Sequence, residues 1–363
     1  MNKKKLQYVS QKKVEKESAD CQYFAMLGER SNGKSFCAKS LCIQWAIKND
    51  RQFIYLRRYD LDTKDSSCEQ YFADLPVQEI TDGEYTMISV FRKGIYLANI
   101  NEESGKVARG PKIGYCHSLG GAEHYKSLQF PAVDWILFEE LLPKNGQYLY
   151  NEPDQLQHYV STIFRHRKGI VFLIGNTLTR ICPYYSKWGL EGTIRQPLGS
   201  IKEYIFHNEN GDDTKMKVYL CDSLNYNSGM FFGSSAKNIT QGAYETEEQA
   251  HLPKSVKDYK VLYEIVLQHD YLMFYMQLLQ DKEKSNNIIW YVQPKTTPIK
   301  DGTRVISTEF NPDPMYSRTF TGLTPNEQQV IDLIKRDKIC FSDDLTGTEF
   351  WNVLPYFTGL RHK

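Results

Sequence analysis

A chain of 363 residues with 41% hydrophobic side chains is long enough for two or three domains with buried cores. Its 45 Lys and Arg against 44 Asp and Glu leave a net charge of +1, which excludes bulk attraction to nucleic acid and confines any basic contact surface to a local patch. The lysine-rich segment 1–17 lacks the apolar core of a signal peptide, no run reaches membrane-spanning length, and the eight cysteines form no C-x-x-C pair, so a soluble, reduced, cytosolic chain is expected.

The first short apolar run, YFAML, ends at Gly28, and from there GERSNGKS fits the phosphate-binding pattern G-x-x-x-x-G-K-[ST] without a mismatch. The next segment carries Phe36, Leu41, Trp45 and Ile47 at helical spacing, and QFIYLRRY after it is rich in β-formers. Strand, loop, helix, strand is the context a phosphate loop needs, because its backbone N–H groups and the helix N-terminus must converge on one anion. On that reading Lys34 reaches the β- and γ-phosphates of ATP and Ser35 places its hydroxyl on a magnesium ion. The loop Gly28, Glu29, Arg30, Ser31, Asn32 and Gly33 supplies the backbone that wraps the phosphates. The competing account is a surface turn that happens to carry a lysine.

Residues 61–127 are polar and irregular, with hairpin material in YTMISVF and GIYLANI around the turn RKG, and are expected to decorate a sheet. CHSLGGAEH brings Cys116, His117 and His124 near one another in sequence, but nothing nearby completes a four-ligand zinc site. VDWILFEEL then reads as a buried parallel strand ending in two carboxylates. One acid at such a place holds magnesium, directly or through water, while its neighbour orients and deprotonates the attacking water. Successive strand residues point to opposite faces, so Glu139 and Glu140 cannot share a job. A solvated strand end is the plainer alternative.

A helix is expected over residues 153–168 with Asp154 as its cap, followed by the apolar strand IVFLIGN ending at Asn176. The Asn176 amide is placed to meet a γ-phosphate or the lytic water, or simply to cap a turn. FRHRK puts Arg165 and Arg167 on that helix, either as solvated charges or as a guanidinium donated across a subunit interface, and Arg57 and Arg58 in YLRRY pose the same choice. Apolar strands that each finish on polar groups fit an open α/β sheet with its chemistry at the carboxyl strand ends. This mainly parallel ATPase domain is expected over 1–200, with a linker at 201–225 around HNENGDD and a second domain at 226–363. After HNENGDD, the pieces KVYLCD, YKVLYEIVLQ, YLMFYMQLL, NIIWYVQP and TRVISTEF predict short strands, and with few long helices they suggest a second domain built on a largely antiparallel sheet. Thr324, Pro325 and Glu327 form a capping box before a helix at VIDLI.

Taken together, GERSNGKS, QFIYLRRY, ILFEEL, YVSTIFRHRK with IVFLIGN, and CPYYSKWG make a sequence that resembles the DNA-packaging ATPases of small tailed phages with protein-primed genomes, compact relatives of terminase large subunits. The resemblance implies an α/β P-loop NTPase domain of ASCE type followed by a smaller α+β domain similar to a vestigial ribonuclease H-like nuclease. It also implies a homo-oligomeric ring, pentameric in the family, docked on the portal of a procapsid in the host cytoplasm, with no membrane partner and no place in the mature virion. Such a ring translocates double-stranded DNA at the expense of ATP, often with a packaging RNA between motor and portal. By that likeness Lys34 and Ser35 are the Walker A pair, Glu139 the magnesium-side acid, Glu140 the catalytic glutamate, and Arg165 or Arg167 the trans-acting finger.

The family usually carries aspartate where this chain has Glu139, which predicts altered ion geometry rather than lost activity. No acidic set stands out in the second domain: surface positions account for Glu264, Asp270 and Glu309 equally well, so nuclease activity is not expected. Lys254, Lys257 and Lys260 are candidates for DNA backbone contact. A helicase or recombination ATPase on the same core, and a nucleic-acid adaptor that only binds nucleotide, are the alternative functions.

Overall fold

Strands whose alternate side chains are buried on both faces build the first of two units, Met1–Tyr244 and Glu245–Lys363. The computed structural model of the chain describes residues 8–101, 103–143, 147–176, 182–190, 192–193, 196–208, 211–222, 248–270, 272–295, 297, 299–318 and 331–358. In chain order the first unit contains α1 (Gln11–Ser18), β1 (Tyr23–Gly28), α2 (Lys34–Asn49), β2 (Gln52–Arg57), α3 (Asp65–Phe72), α4 (Val77–Ile80), β3 (Met87–Phe91), β4 (Gly94–Ile100) and β5 (Val107–Ser118). It continues with β6 (Val133–Glu139), α5 (Glu152–Phe164), β7 (Ile170–Asn176), α6 (Pro183–Lys187), β8 (Ile201–His207) and β9 (Asp213–Leu220).

These strands form one nine-stranded sheet in the order β3-β4-β5-β2-β6-β7-β1-β9-β8. The six from β5 to β9 in that order are mutually parallel, and antiparallel partners close both edges. Period-two alternation sorts the core: Phe24 and Met26 of β1 and Trp135 and Leu137 of β6 face α1, α2 and α3. Ala25, Leu27, Ile136 and Phe138 face α5 and α6 on the other side. Parallel strands buried on both faces read as continuous apolar runs, which is why YFAML, WILF and IVFLI stand out in the sequence.

Three expectations are corrected. Residues 201–208 and 211–220 are not linker: β9 lies parallel beside β1, with Cys221 N–H donating to the Leu27 carbonyl at 2.8 Å, so KVYLCD belongs to the first sheet. Asp154 lies inside α5, whose N-cap is the left-handed Asn151, and accepts from the Asn151 side-chain amide at 2.6 Å. Arg165 and Arg167 are not on that helix either; Arg165 ends it with φ 53° and ψ −111°, a break that turns the chain towards β7. The hairpin expected around RKG is present as β3 and β4 and extends the sheet at its edge.

The second unit holds β10 (Tyr259–His269), β11 (Leu272–Asp281), β12 (Ile288–Pro294), β13 (Arg304–Ser307), β14 (Tyr316–Ser317), β15 (Ile339–Phe341), α7 (Asp344–Val353) and α8 (Pro355–Thr358). Its six-stranded sheet runs β14-β13-β10-β11-β12-β15. Among the described residues only the β10-β11 and β11-β12 pairs are antiparallel, so the sheet is mixed rather than largely antiparallel. Phe350 of α7 meets Phe274 edge-on at 5.7 Å, covering one face. The capping box at Thr324, Pro325 and Glu327 lies outside the described residues. Among the described residues no helix is long and apolar enough to cross a membrane.

Candidate functional site

The strand order places the carboxyl ends of β6, β7 and β1 side by side, with Glu139 paired to Ile174 and Asn176 to Gly28. The loop that follows β1 rises from this edge and returns into α2. Ser31 (φ 61°) and Gly33 (φ 90°) are both left-handed, and such alternation curls a loop into a concave run of N–H groups suited to an anion. Glycine is needed at Gly33 twice over, since its backbone is left-handed and a Cβ there would sit 3.3 Å from that of Tyr8. A Cβ at Gly28 would crowd Asn32 and Cys221, at 3.1 and 3.2 Å.

Beside the loop lies a cleft of about 680 Å³ lined by Arg30, Asn32, Lys34, Ser35, Asp74 and Asn176 among others. Lys34 is only 4% exposed. Its Nζ donates to the Glu29 carbonyl and lies 3.3 Å from the Gly28 carbonyl, 3.0 Å from Asn32 Oδ1 and 3.2 Å from Asn176 Oδ1. Burial pushes its pKa down to about 8, with Cys221, Glu139 and Glu29 acting in the opposite direction. Ser35 is half-buried at the first turn of α2, and Arg30 and Ser31 are exposed at the cleft mouth. Glu29 is buried.

The two acids separate as strand parity requires. Glu139, 8% exposed, accepts a 2.6 Å hydrogen bond from the Tyr71 hydroxyl of α3. Burial, and then the Glu139 carboxylate, hold that hydroxyl well above its ordinary pKa, so it stays a donor. Tyr55 stacks on the same ring at 4.3 Å. Glu140 leaves the strand with φ 64°, an uncommon conformation for a non-glycine residue that costs on the order of 1 kcal/mol. Its carboxylate pairs with Arg57 Nη2 at 2.8 Å.

Sequence reasoning treated Arg57 and Arg58 alike, but the structure divides them. Arg57 ends β2 and takes the Glu140 side chain, whereas Arg58 is buried and ion-paired with Glu152 at 2.7 Å. Tyr71, Glu152 and Tyr184 were missed. Glu152 had a legible signal, a carboxylate at the start of an amphipathic helix, but its partner is 94 residues away and no local pattern joins the two.

Arg167 donates to the carbonyls of Val133 (2.7 Å), Phe130 (2.8 Å) and Ile163 (3.0 Å) and to Asp134 at 3.2 Å. Val133 begins β6 and Glu139 ends it, so the strand's rise puts Arg167 about 20 Å from the acids at its far end. Arg165 is exposed on the same side, with one 3.3 Å contact to the Leu128 carbonyl. His117 is not poised as a metal ligand: its Nδ1 meets the Tyr159 hydroxyl at 2.6 Å and its ring stacks on Tyr125 at 3.9 Å. Among the described residues no three His, Cys, Asp or Glu side chains gather into a metal-holding group. In the second unit Glu264 accepts from Gln277, Asp270 sits in the β10-β11 turn, and Lys254 is paired with Asp281 and Glu283.

A phosphate loop after β1, an acid-tipped β6, and β7 between them define a P-loop NTPase fold. The chain belongs to the Podovirus DNA encapsidation protein (Gp16) family, whose profile matches residues 1–205. It is 29% identical over 191 residues to a DNA packaging protein of Bacillus phage B103, a match covering 52% of this chain and 54% of that one. It is 31% identical over 163 residues to the DNA packaging protein of Bacillus phage phi29, covering 44% of each. The chain thus spans about half the length of the curated relatives it matches. Among solved structures, the bacteriophage Phi-29 viral genome packaging motor assembly shares the fold over 97% of this chain and 99% of that one, with a TM-score of 0.57 at 20% identity.

Proposed function

We propose that this chain is an ATPase that drives double-stranded DNA into a procapsid, working as a homo-oligomeric ring, pentameric as in the related motors, at the portal vertex in the host cytoplasm. The observation that carries this reading is the convergence of Lys34, Asn176 and the Glu139–Glu140 pair along adjacent strand ends. Family membership and the shared fold of the packaging motor support the DNA and portal partners, and a packaging RNA is a further partner that family membership suggests. In the second unit, β10 to β12 run antiparallel in succession while β13 and β14 add parallel to β10. That arrangement supports a ribonuclease H-like sheet turned to nucleic-acid or portal contact, with Lys257 and Lys260 left exposed.

The donor set fits Mg-ATP, with a concave loop for phosphate and, for magnesium, the Ser35 hydroxyl and the Glu139 carboxylate. Magnesium held there would neutralise charge developing on the phosphate oxygens. Lys34 exchanges its loop acceptors for phosphate oxygens. Glu140 leaves Arg57 to accept a proton from the attacking water, which the Asn176 amide helps to orient. In this reading Arg165, exposed where α5 ends, is the guanidinium donated to a neighbouring subunit's phosphates.

The test is ATP hydrolysis with and without double-stranded DNA. DNA-stimulated turnover is expected in the natural chain, loss of nucleotide binding in Lys34→Ala, and retained binding with turnover reduced about a hundredfold or more in Glu140→Gln. Equal, low turnover in all three proteins would sink the motor reading.

A further inference from the structure

Resting on the reading of Glu140 as the hydrolytic residue, we propose that Arg58, Glu152 and Tyr184 form a buried positioning network that fixes the Glu140–Leu141 backbone and so aims the Glu140 carboxylate. Arg58 Nη1 donates to the Glu140 carbonyl at 2.9 Å and Nη2 to the Leu141 carbonyl at 3.2 Å. Its Nε and Nη2 meet the two Glu152 oxygens at 2.7 and 2.9 Å. Glu152 also accepts from the Leu149 N–H and the Tyr184 hydroxyl, both at 2.8 Å. Four donors therefore fill the carboxylate's acceptor sites, and the pair is 2% and 1% exposed.

Stability alone does not call for such a network, because well-packed apolar side chains usually replace a buried ion pair without loss. What an apolar side chain cannot do is hold the two successive carbonyls that follow a left-handed residue. Glu140 is that residue, and the Leu141 N–H of the same peptide group is tied to the Ile174 carbonyl of β7 at 2.8 Å. The neighbouring arginines thus divide the work: Arg57 holds the Glu140 side chain and must release it, while Arg58 holds its backbone and must not. Tyr184 gives CPYYSKWG a role as the network's outer support.

The full chain is assayed for ATP turnover, for binding of a non-hydrolysable ATP analogue and for Tm. In Arg58→Lys, where a lysine cannot span Glu152 and both carbonyls, kcat is expected to fall about tenfold or more while KM and analogue Kd stay within about twofold. Arg58→Met combined with Glu152→Leu removes the carbonyl contacts without stranding a charge. The carbonyls it leaves unpaired are expected to lower Tm without unfolding the chain, while analogue binding is kept and kcat shows the same loss. Tyr184→Phe, which loosens Glu152 only, gives a smaller loss in the same parameter. Natural kcat in the folded double variant overturns the proposal, as does a fall in kcat that merely tracks Tm across the three. Glu140→Gln alongside keeps the two failures apart. Full turnover in that variant removes the reading of Glu140 and the network's purpose with it; a dead Glu140→Gln beside an active double variant removes the network alone.

Discussion

At the carboxyl edge of the first sheet Arg58 gathers the carbonyls of Glu140 and Leu141; at the amino edge Arg167 gathers those of Phe130, Val133 and Ile163. Each has a close neighbour in sequence, Arg57 and Arg165, that is tied to far less backbone: Arg57 to two carboxylates and Arg165 to one exposed carbonyl. Closely spaced basic residues at a sheet edge thus divide into one that closes off chain ends and one that holds little or no backbone. Elements stop with unpaired carbonyls, and a planar guanidinium can satisfy several at once.

The sharpest break of this comparison is to remove the amino-edge arginines one at a time. If Arg165 is the trans-acting finger proposed above, Arg165→Ala is expected to lower turnover by about a thousandfold with Tm unchanged. Arg167→Ala is expected to cost roughly 2–3 kcal/mol of stability through its abandoned carbonyls and Asp134. Mixing Arg165→Ala with Lys34→Ala subunits should restore part of the turnover, since one supplies the intact loop and the other the intact arginine. No recovery at any ratio counts against Arg165, and a stable but inactive Arg167→Ala would exchange the two assignments.

The contrast also marks where the sequence was legible. GERSNGKS, ILFEEL and IVFLIGN each carry their meaning locally, as turn chemistry or as apolar runs ending on polar groups, so the strands, the loop and the acids could be read in order. The arginines could not be sorted, because the partners that decide them are 82 to 94 residues away for Arg58 and 33 to 37 away for three of the four Arg167 contacts. KVYLCD looked like any short strand, and only its pairing with β1 reveals that the first sheet extends past HNENGDD. Tyr71 is invisible for the same reason: its partner Glu139 is 68 residues distant.

A smaller effect follows from the carboxyl edge itself. Lys34 has a pKa near 8 because burial disfavours its charge, and phosphate oxygens would raise that value in a complex. Below about pH 8 the lysine is charged with or without nucleotide, and affinity is at its full value. Above it, binding must take up a proton, so affinity for an ATP analogue should fall by up to about tenfold per pH unit. Calorimetry at pH 8.5 in buffers of different ionisation enthalpy would show the uptake; identical enthalpies in all buffers would refute it.

The least expected loss belongs to Tyr71, which extends the comparison from arginines to the acid that Arg57 does not hold. A neutral hydroxyl donating to a carboxylate is worth about 1–2 kcal/mol, so Tyr71→Phe should lower stability by that much and raise the magnesium concentration for half-maximal turnover by a few-fold. Glu139→Asp tests why the longer acid is used here. Shortened by one methylene, the carboxylate should lose Tyr71 while still reaching an ion through water, so activity survives with a Tm matching Tyr71→Phe. If the extra methylene serves that contact, the two losses are not additive, and the double variant should be about 1 kcal/mol more stable than their sum. Additive losses would mean that Tyr71 and Glu139 contribute to stability independently despite the 2.6 Å contact between them.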